Sequence, residues 1–180
     1  MHLPSLLAAL AISVAGASHA ADCPALLKQH LGSDLALAYD AFDQDDHQGW
    51  RPVEAAGCDA EAAALIGAYA ASQPHPHPVL AWHRAQMLAR AGRTAEAIAA
   101  TRLTLRPPHS DDDSGFDWND YADAMIAFLQ DDRAALQASR ARLAEAAARS
   151  AINGLNLKAT DRLERCFGKP YAIAYACPAP

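Results

Sequence analysis

One hexapeptide in this chain occurs twice in related form. Gly57-Cys58-Asp59-Ala60-Glu61-Ala62 returns as Gly92-Arg93-Thr94-Ala95-Glu96-Ala97, an offset of 35 residues. A period in this range marks stacked supersecondary units, none of which buries its apolar face alone. In each copy a glycine stands where one helix must end and reverse. Asp59 and Thr94 are N-cap residue types, and a glutamate follows each two residues later, where the helix dipole favours an acid.

The flanking segments carry helical periodicity. Leu80, Met87, Leu88 and Ala91 share a face, with Trp82 beside them; Ala97, Ile98, Thr101 and Leu105 repeat the pattern until Pro107-Pro108. Beyond a loop at 107–116, Tyr121, Ala124, Met125, Phe128 and Leu129 form one apolar stripe. Asp131-Asp132 turns the chain, with Asp132 a capping candidate. Leu136, Arg140, Leu143 and Ala147 then continue a second helix, with Arg140 and Arg142 at its polar edge. Alanine, the strongest helix former, makes up a quarter of the 180 residues, and aromatics only 7%. The expected fold is all-α: antiparallel helical hairpins at about 48–73, 79–107 and 117–148. Helical segments at 24–31 and 34–45 precede the first hairpin, 48–56 is its short first helix, and an atypical cap at 154–177 closes the array.

Residues 1–20 contain no Lys, Arg, Asp or Glu. An apolar core from Leu6 to Ala15, followed by Ser18-His19-Ala20, predicts a secretory signal cleaved before Ala21. The core is too short for a membrane anchor, and Asp22 before Cys23 disfavours lipoprotein processing. The expected location of the chain at 21–180 is therefore periplasmic or extracellular, with no stable membrane insertion after cleavage. Cys23, Cys58, Cys166 and Cys177 are even in number, which in an oxidising compartment predicts two disulfides. Three connectivities are open. Neighbour-to-neighbour stacking favours Cys23–Cys58 with Cys166–Cys177.

The formal charge of −6 argues against nucleic-acid binding, which requires basic residues at phosphates. His75-Pro76-His77-Pro78, with His83 further on, invites a metal reading, but prolines set a stiff extended linker rather than a ligand pair. The aspartates 111, 112, 113, 117, 120 and 123 fail the calcium-loop spacing, with Phe116 at the glycine position and Ala122 at the closing glutamate. They read as a solvated, helix-initiating loop, as do Asp43, Asp45 and Asp46. No Gly-x-Ser-x-Gly, His-Glu-x-x-His, phosphate loop or Cys-x-x-Cys-His is present. The chain reads as a non-enzyme without cofactor or bound metal.

Ala85, Leu88, Gly92, Glu96, Ala97 and Ile98, with Ala60-Glu61-Ala62 after Gly57, stand at the spacing of the tetratricopeptide repeat, which the chain from about 48 to 148 resembles. The chain also resembles exported bacterial repeat proteins with a Gly-Trp-Arg element, here Gly49-Trp50-Arg51, and a Cys-Phe-Gly-x-Pro-Tyr tail, here Cys166 to Tyr171. The resemblance implies a superhelix binding a protein or peptide in a groove lined by first helices. On that register the groove residues are Arg51, Trp82, Gln86, Arg90, Trp118, Tyr121 and Met125. The Lys and Asn pattern of the family's peptide-carboxylate clamp is absent. Trp50, Trp82 and Trp118 recur at 32 and 36 residues, as equivalent core positions or as an aromatic stripe along the groove. Two further readings follow from charge and clusters. One is an immunity-type inhibitor of a periplasmic toxin, its acidity steering it to a basic target. The other is a metal-binding or hydrolytic protein using the His and Asp clusters.

Overall fold

The computed structural model describes residues 21–107 and 116–178. The expected signal at 1–20 and the Asp111–Asp113 cluster lie outside them. The described chain folds into helices α1 (Cys23–Ser33), α2 (Tyr39–Asp43), α3 (Arg51–Ala55), α4 (Asp59–Ser72), α5 (Val79–Arg90), α6 (Thr94–Arg102), α7 (Trp118–Leu129), α8 (Arg133–Ala147), α9 (Ala151–Arg165) and α10 (Tyr171–Tyr175). No strand occurs among the described residues. From α3 to α9, each helix packs on the next in sequence.

The repeated glycines occupy matching corners. Gly57 and Gly92 have φ of 80° and 72°. At each, the glycine N–H donates back three residues and the following N–H back five: Gly57 to Glu54 at 2.8 Å and Cys58 to Val53 at 3.1 Å, Gly92 to Ala89 at 3.1 Å and Arg93 to Leu88 at 2.9 Å. This pair of bonds satisfies carbonyls at the helix end. A third corner has the same form without glycine. Asp131 adopts φ 57°, its N–H reaches Phe128 at 3.1 Å, and Asp132 N–H reaches Ala127 at 2.9 Å. Aspartate is one of the few residues that tolerates this region.

Two local expectations are corrected. Asp59 and Thr94 are the first residues of α4 and α6, and the caps are Cys58 and Arg93, without side-chain cap bonds. Asp132 does cap α8, accepting from Ala135 N–H at 2.9 Å. Helix α6 ends at Arg102 rather than running to the prolines. Trp118 Nε1 donates to the Thr104 carbonyl at 2.7 Å, pulling the chain out of the helix, and Leu103 is left 83% exposed.

Both disulfides join as sequential stacking suggests: Cys23–Cys58 staples α1 to the first corner, and Cys166–Cys177 ties α10 to the end of α9. One continuous apolar core runs from Phe42 to Ala174. At its early end Phe42 stacks on Tyr69 with ring centroids 3.6 Å apart. At its late end Asn153, fully buried, receives Asp117 N–H and donates to the Ala146 carbonyl, both at 2.9 Å.

Candidate functional site

The Gly-Trp-Arg element is held by two aspartates, Asp34 and Asp43. Gly49 has φ 62°, and a Cβ there would lie 1.9 Å from the Phe42 carbonyl oxygen, so only glycine fits. Its N–H donates to Asp34 Oδ2 at 2.9 Å. Trp50 Nε1 donates to Asp43 Oδ1 at 2.9 Å, and Arg51 Nε to the Asp43 carbonyl at 3.0 Å. The Arg51 guanidinium lies 4.1 Å from the Trp50 ring centroid, a cation–π contact.

Asp43 has no exposed surface, which corrects its reading as part of a solvated acidic loop. Besides Trp50 it accepts from Tyr39 Oη at 3.1 Å and from the Gln44 amide, and His83 Nδ1 stands 2.8 Å from Oδ1. Burial pushes its carboxyl up, but the bonds from His83, Trp50 and Tyr39 and the His83 charge outweigh it and hold the group below the usual range. Burial, with the Asp43 charge beside it, pushes the Tyr39 hydroxyl up to about 12. Held at Nδ1, the His83 ring has a fixed orientation, with Nε2 left to act. A similar pair lies nearby: His30 Nδ1 is 2.6 Å from Asp34 Oδ2.

His83 opens into a cleft of about 200 Å³ whose walls come from three elements: Trp50, Arg51 and Glu54 at α3, Gln86, Met87 and Arg90 on α5, and Tyr171 and Tyr175 on α10. An adjoining hollow of about 470 Å³ shares Arg51, Glu54 and Arg90 and adds Asp46. Arg90 bridges Asp59 at 2.8 Å and Glu54 at 3.2 Å. The wall carries both signs of charge.

The C-terminal tail closes the inner end. Gly168 turns the chain at φ 83°, and Phe167 meets Phe128 edge to face with centroids 5.8 Å apart. The Tyr171 hydroxyl reaches Met125 Sδ at 3.6 Å; that of Tyr175 lies 3.3 Å from Gln86 Nε2 and 3.5 Å from Tyr121 Oη.

The seven expected groove residues therefore divide. Arg51, Gln86 and Arg90 line the cleft. Trp82, Tyr121 and Met125 are 4%, 6% and 1% exposed, and α10 covers Tyr121 and Met125, so these three are core rather than open groove. Trp118 is half-buried against Trp82, centroids 4.9 Å apart. The three tryptophans do not hold equivalent positions: they lie 7, 10 and 13 residues before their corners at Gly57, Gly92 and Asp131.

His75 and His77 remain in an exposed linker. His77 stacks on Tyr39 at 4.2 Å, and its Nδ1 accepts from Val79 N–H at 3.3 Å. His83 works apart from them. Asp117 caps α7, and Asp120 meets Arg142 at 2.6 Å. Trp50, Glu54, His83, Tyr171 and Tyr175 were not among the expected groove residues. The signal for Trp50 and Tyr171 was the pair of short elements at 49–51 and 166–171, which meet at this cleft; Glu54, His83 and Tyr175 lie outside both and carried no such signal. Comparison with protein-family models, with curated proteins and with solved structures finds no match.

Proposed function

We propose that this chain is an exported interaction module of tetratricopeptide-like architecture that binds a protein or peptide segment in the cleft between α3, α5 and α10. The observation that carries the reading is the meeting of the Gly-Trp-Arg element and the C-terminal tail around one opening: Trp50 and Arg51 face Tyr171 and Tyr175 across His83 and Gln86. Arg51, Gln86 and Arg90 each hold a partner within the fold and also line the opening, where a partner peptide with backbone amides and mixed charges would meet them. Aromatic walls supply rigid contact area, and the Asp43 bond fixes the His83 ring before any partner arrives. Two disulfides suit an oxidising compartment, and no helix among the described residues is long and apolar enough to cross a membrane.

Site-directed photo-cross-linking tests the reading. With a photo-reactive residue in place of Gln86, a discrete adduct is expected from cell-envelope extract, and Arg51→Ala in the same chain is expected to abolish it. The same adduct from a probe at the exposed Leu155, or an adduct indifferent to Arg51→Ala, would remove the cleft as the binding site.

A further inference from the structure

The residues around the first disulfide hold more than a staple. Cys23 is the first residue of α1, and Cys58 is the N-cap of α4. Glu61 lies in the first turn of α4. The ligand atoms of Cys23, Cys58 and Glu61 all lie within 4.8 Å of one another. No hydrogen bond or ion pair engages the half-buried Glu61 carboxylate among the described residues. A free carboxylate beside two sulfurs is unneeded by the disulfide, to which it contributes nothing.

We propose that Cys23, Cys58 and Glu61 form a zinc site whenever the Cys23–Cys58 disulfide is reduced, so that metal replaces the covalent link between α1 and α4. The reductant is a dithiol. Its thiolate attacks one sulfur, the second thiol resolves the mixed disulfide, and two electrons and two protons pass to Cys23 and Cys58 while the dithiol becomes a disulfide. Zinc then displaces the two thiol protons. Two thiolates and one carboxylate fill three places of a tetrahedron, and water takes the fourth.

Geometry and electrostatics favour this set. Both sulfurs sit at helix N-termini, whose dipoles stabilise the thiolate, the form that exchanges and the form that ligates. The Cα atoms of the two cysteines are 5.4 Å apart. Zinc to sulfur and oxygen distances of about 2.3 and 2.1 Å place the two sulfurs roughly 3.8 Å apart and each roughly 3.6 Å from the carboxylate oxygen in a tetrahedron. The sulfurs, bonded to each other in the disulfide, part once it is reduced, and the carboxylate already lies within 4.8 Å of both. Helix α1 packs on α3 and α4, so a metal shared by Cys23 and Cys58 would hold the same two helices together as the disulfide does. Charge favours a dication, since the bound state pairs Zn²⁺ with three anions.

The test uses the full chain with Cys166→Ser and Cys177→Ser, so that one thiol pair remains, and zinc alone as the probe. After reduction with a phosphine, which leaves no competing thiol, competition against a chromophoric chelator is expected to show one zinc per chain. The oxidised chain is expected to take none. Glu61→Gln is expected to weaken binding roughly tenfold or more, and Glu61→His, which restores a ligand atom, to recover it. Cobalt substitution is expected to give the charge-transfer bands of two thiolates. Failure of the reduced chain to bind, equal uptake by the oxidised chain, or indifference to Glu61→Gln would each overturn the proposal, as would zinc uptake only by chain that has lost its helical circular dichroism.

Discussion

His83 on α5 holds its Nδ1 2.8 Å from Asp43 Oδ1, across 40 residues of sequence, and Asp43 is sealed from water. That one carboxylate gathers donors from α2, from the Gly-Trp-Arg element and from α5, and so ties the early short helices to the first full hairpin.

Removing it should leave its donors stranded. Asp43→Ala is expected to destabilise the fold by about 3 kcal/mol, because Trp50 Nε1, Tyr39 Oη and the His83 ring lose their acceptor in a buried place. Asp43→Asn, which keeps the shape and one acceptor, should cost less. A double-mutant cycle between Asp43→Asn and His83→Gln should give a coupling of about 1 kcal/mol or more, read from urea unfolding. Additive effects would mean that the two residues do not act as a pair.

The glycines at positive φ separate two physical causes. At Gly57 and Gly92 a Cβ meets nothing within 4 Å, so alanine there carries only the backbone cost, about 1 kcal/mol. At Gly49 the Cβ would strike the Phe42 carbonyl as well, and the loss should be more than twice as large. In the opposite sense, Asp131→Gly relieves the one positive-φ residue among the described positions that is not glycine, and should raise stability by roughly 0.5–1 kcal/mol. Thermal unfolding of the four variants checks the order.

Stability should depend on pH from two directions. Asp34 and Asp43 are held below the usual carboxylate range: burial pushes each up, but hydrogen bonds and the facing histidine outweigh it. Their contribution is complete above the unfolded value near 4 and is lost as pH falls through their lower folded values. Asp120 is pushed up to about 6 by burial and by Asp117 against the pull of Arg142. Its contribution is full below about 4 and is lost as pH rises through 6. The urea midpoint should therefore peak between about pH 4 and 6, and Asp120→Asn should flatten the fall on the alkaline side. An unaltered fall would assign it to other groups.

The second disulfide seats the tail. Replacing Cys166 and Cys177 with serine opens an 11-residue loop and should cost about 3 kcal/mol. Because Tyr171 and Tyr175 cover Met125, Tyr121 and Gln86, amide exchange should rise in α10 and at the facing turns of α5 and α7 before it rises in α4. Uniform exchange would show that the tail does not depend on this bridge.

Hairpin corners are a local property. Gly57 and Gly92 announce themselves because a reversal needs a left-handed residue at a fixed distance from the apolar stripes, and short-range spacing contains that information. The helices and their order followed from the same short-range rules, and the stacking they imply favoured, among three connectivities, the cysteine pairing that the structure has. The third corner was harder to read as a repeat because Asp131 takes the conformation by tolerance, without glycine's signature.

Burial of Asp43, its bond to His83 and the seating of Tyr171 and Tyr175 over α5 and α7 rest on contacts between residues 40 to 89 positions apart. No periodicity encodes such contacts. An aspartate in a run of aspartates looks solvated until another element brings donors to it, and a groove residue looks open until the chain's own end is laid across it. Composition and spacing determined that this protein is a set of helices turning at repeated corners. Packing of distant segments alone decided which polar groups were enclosed together and which part of the face between α3, α5 and α10 stayed open to solvent.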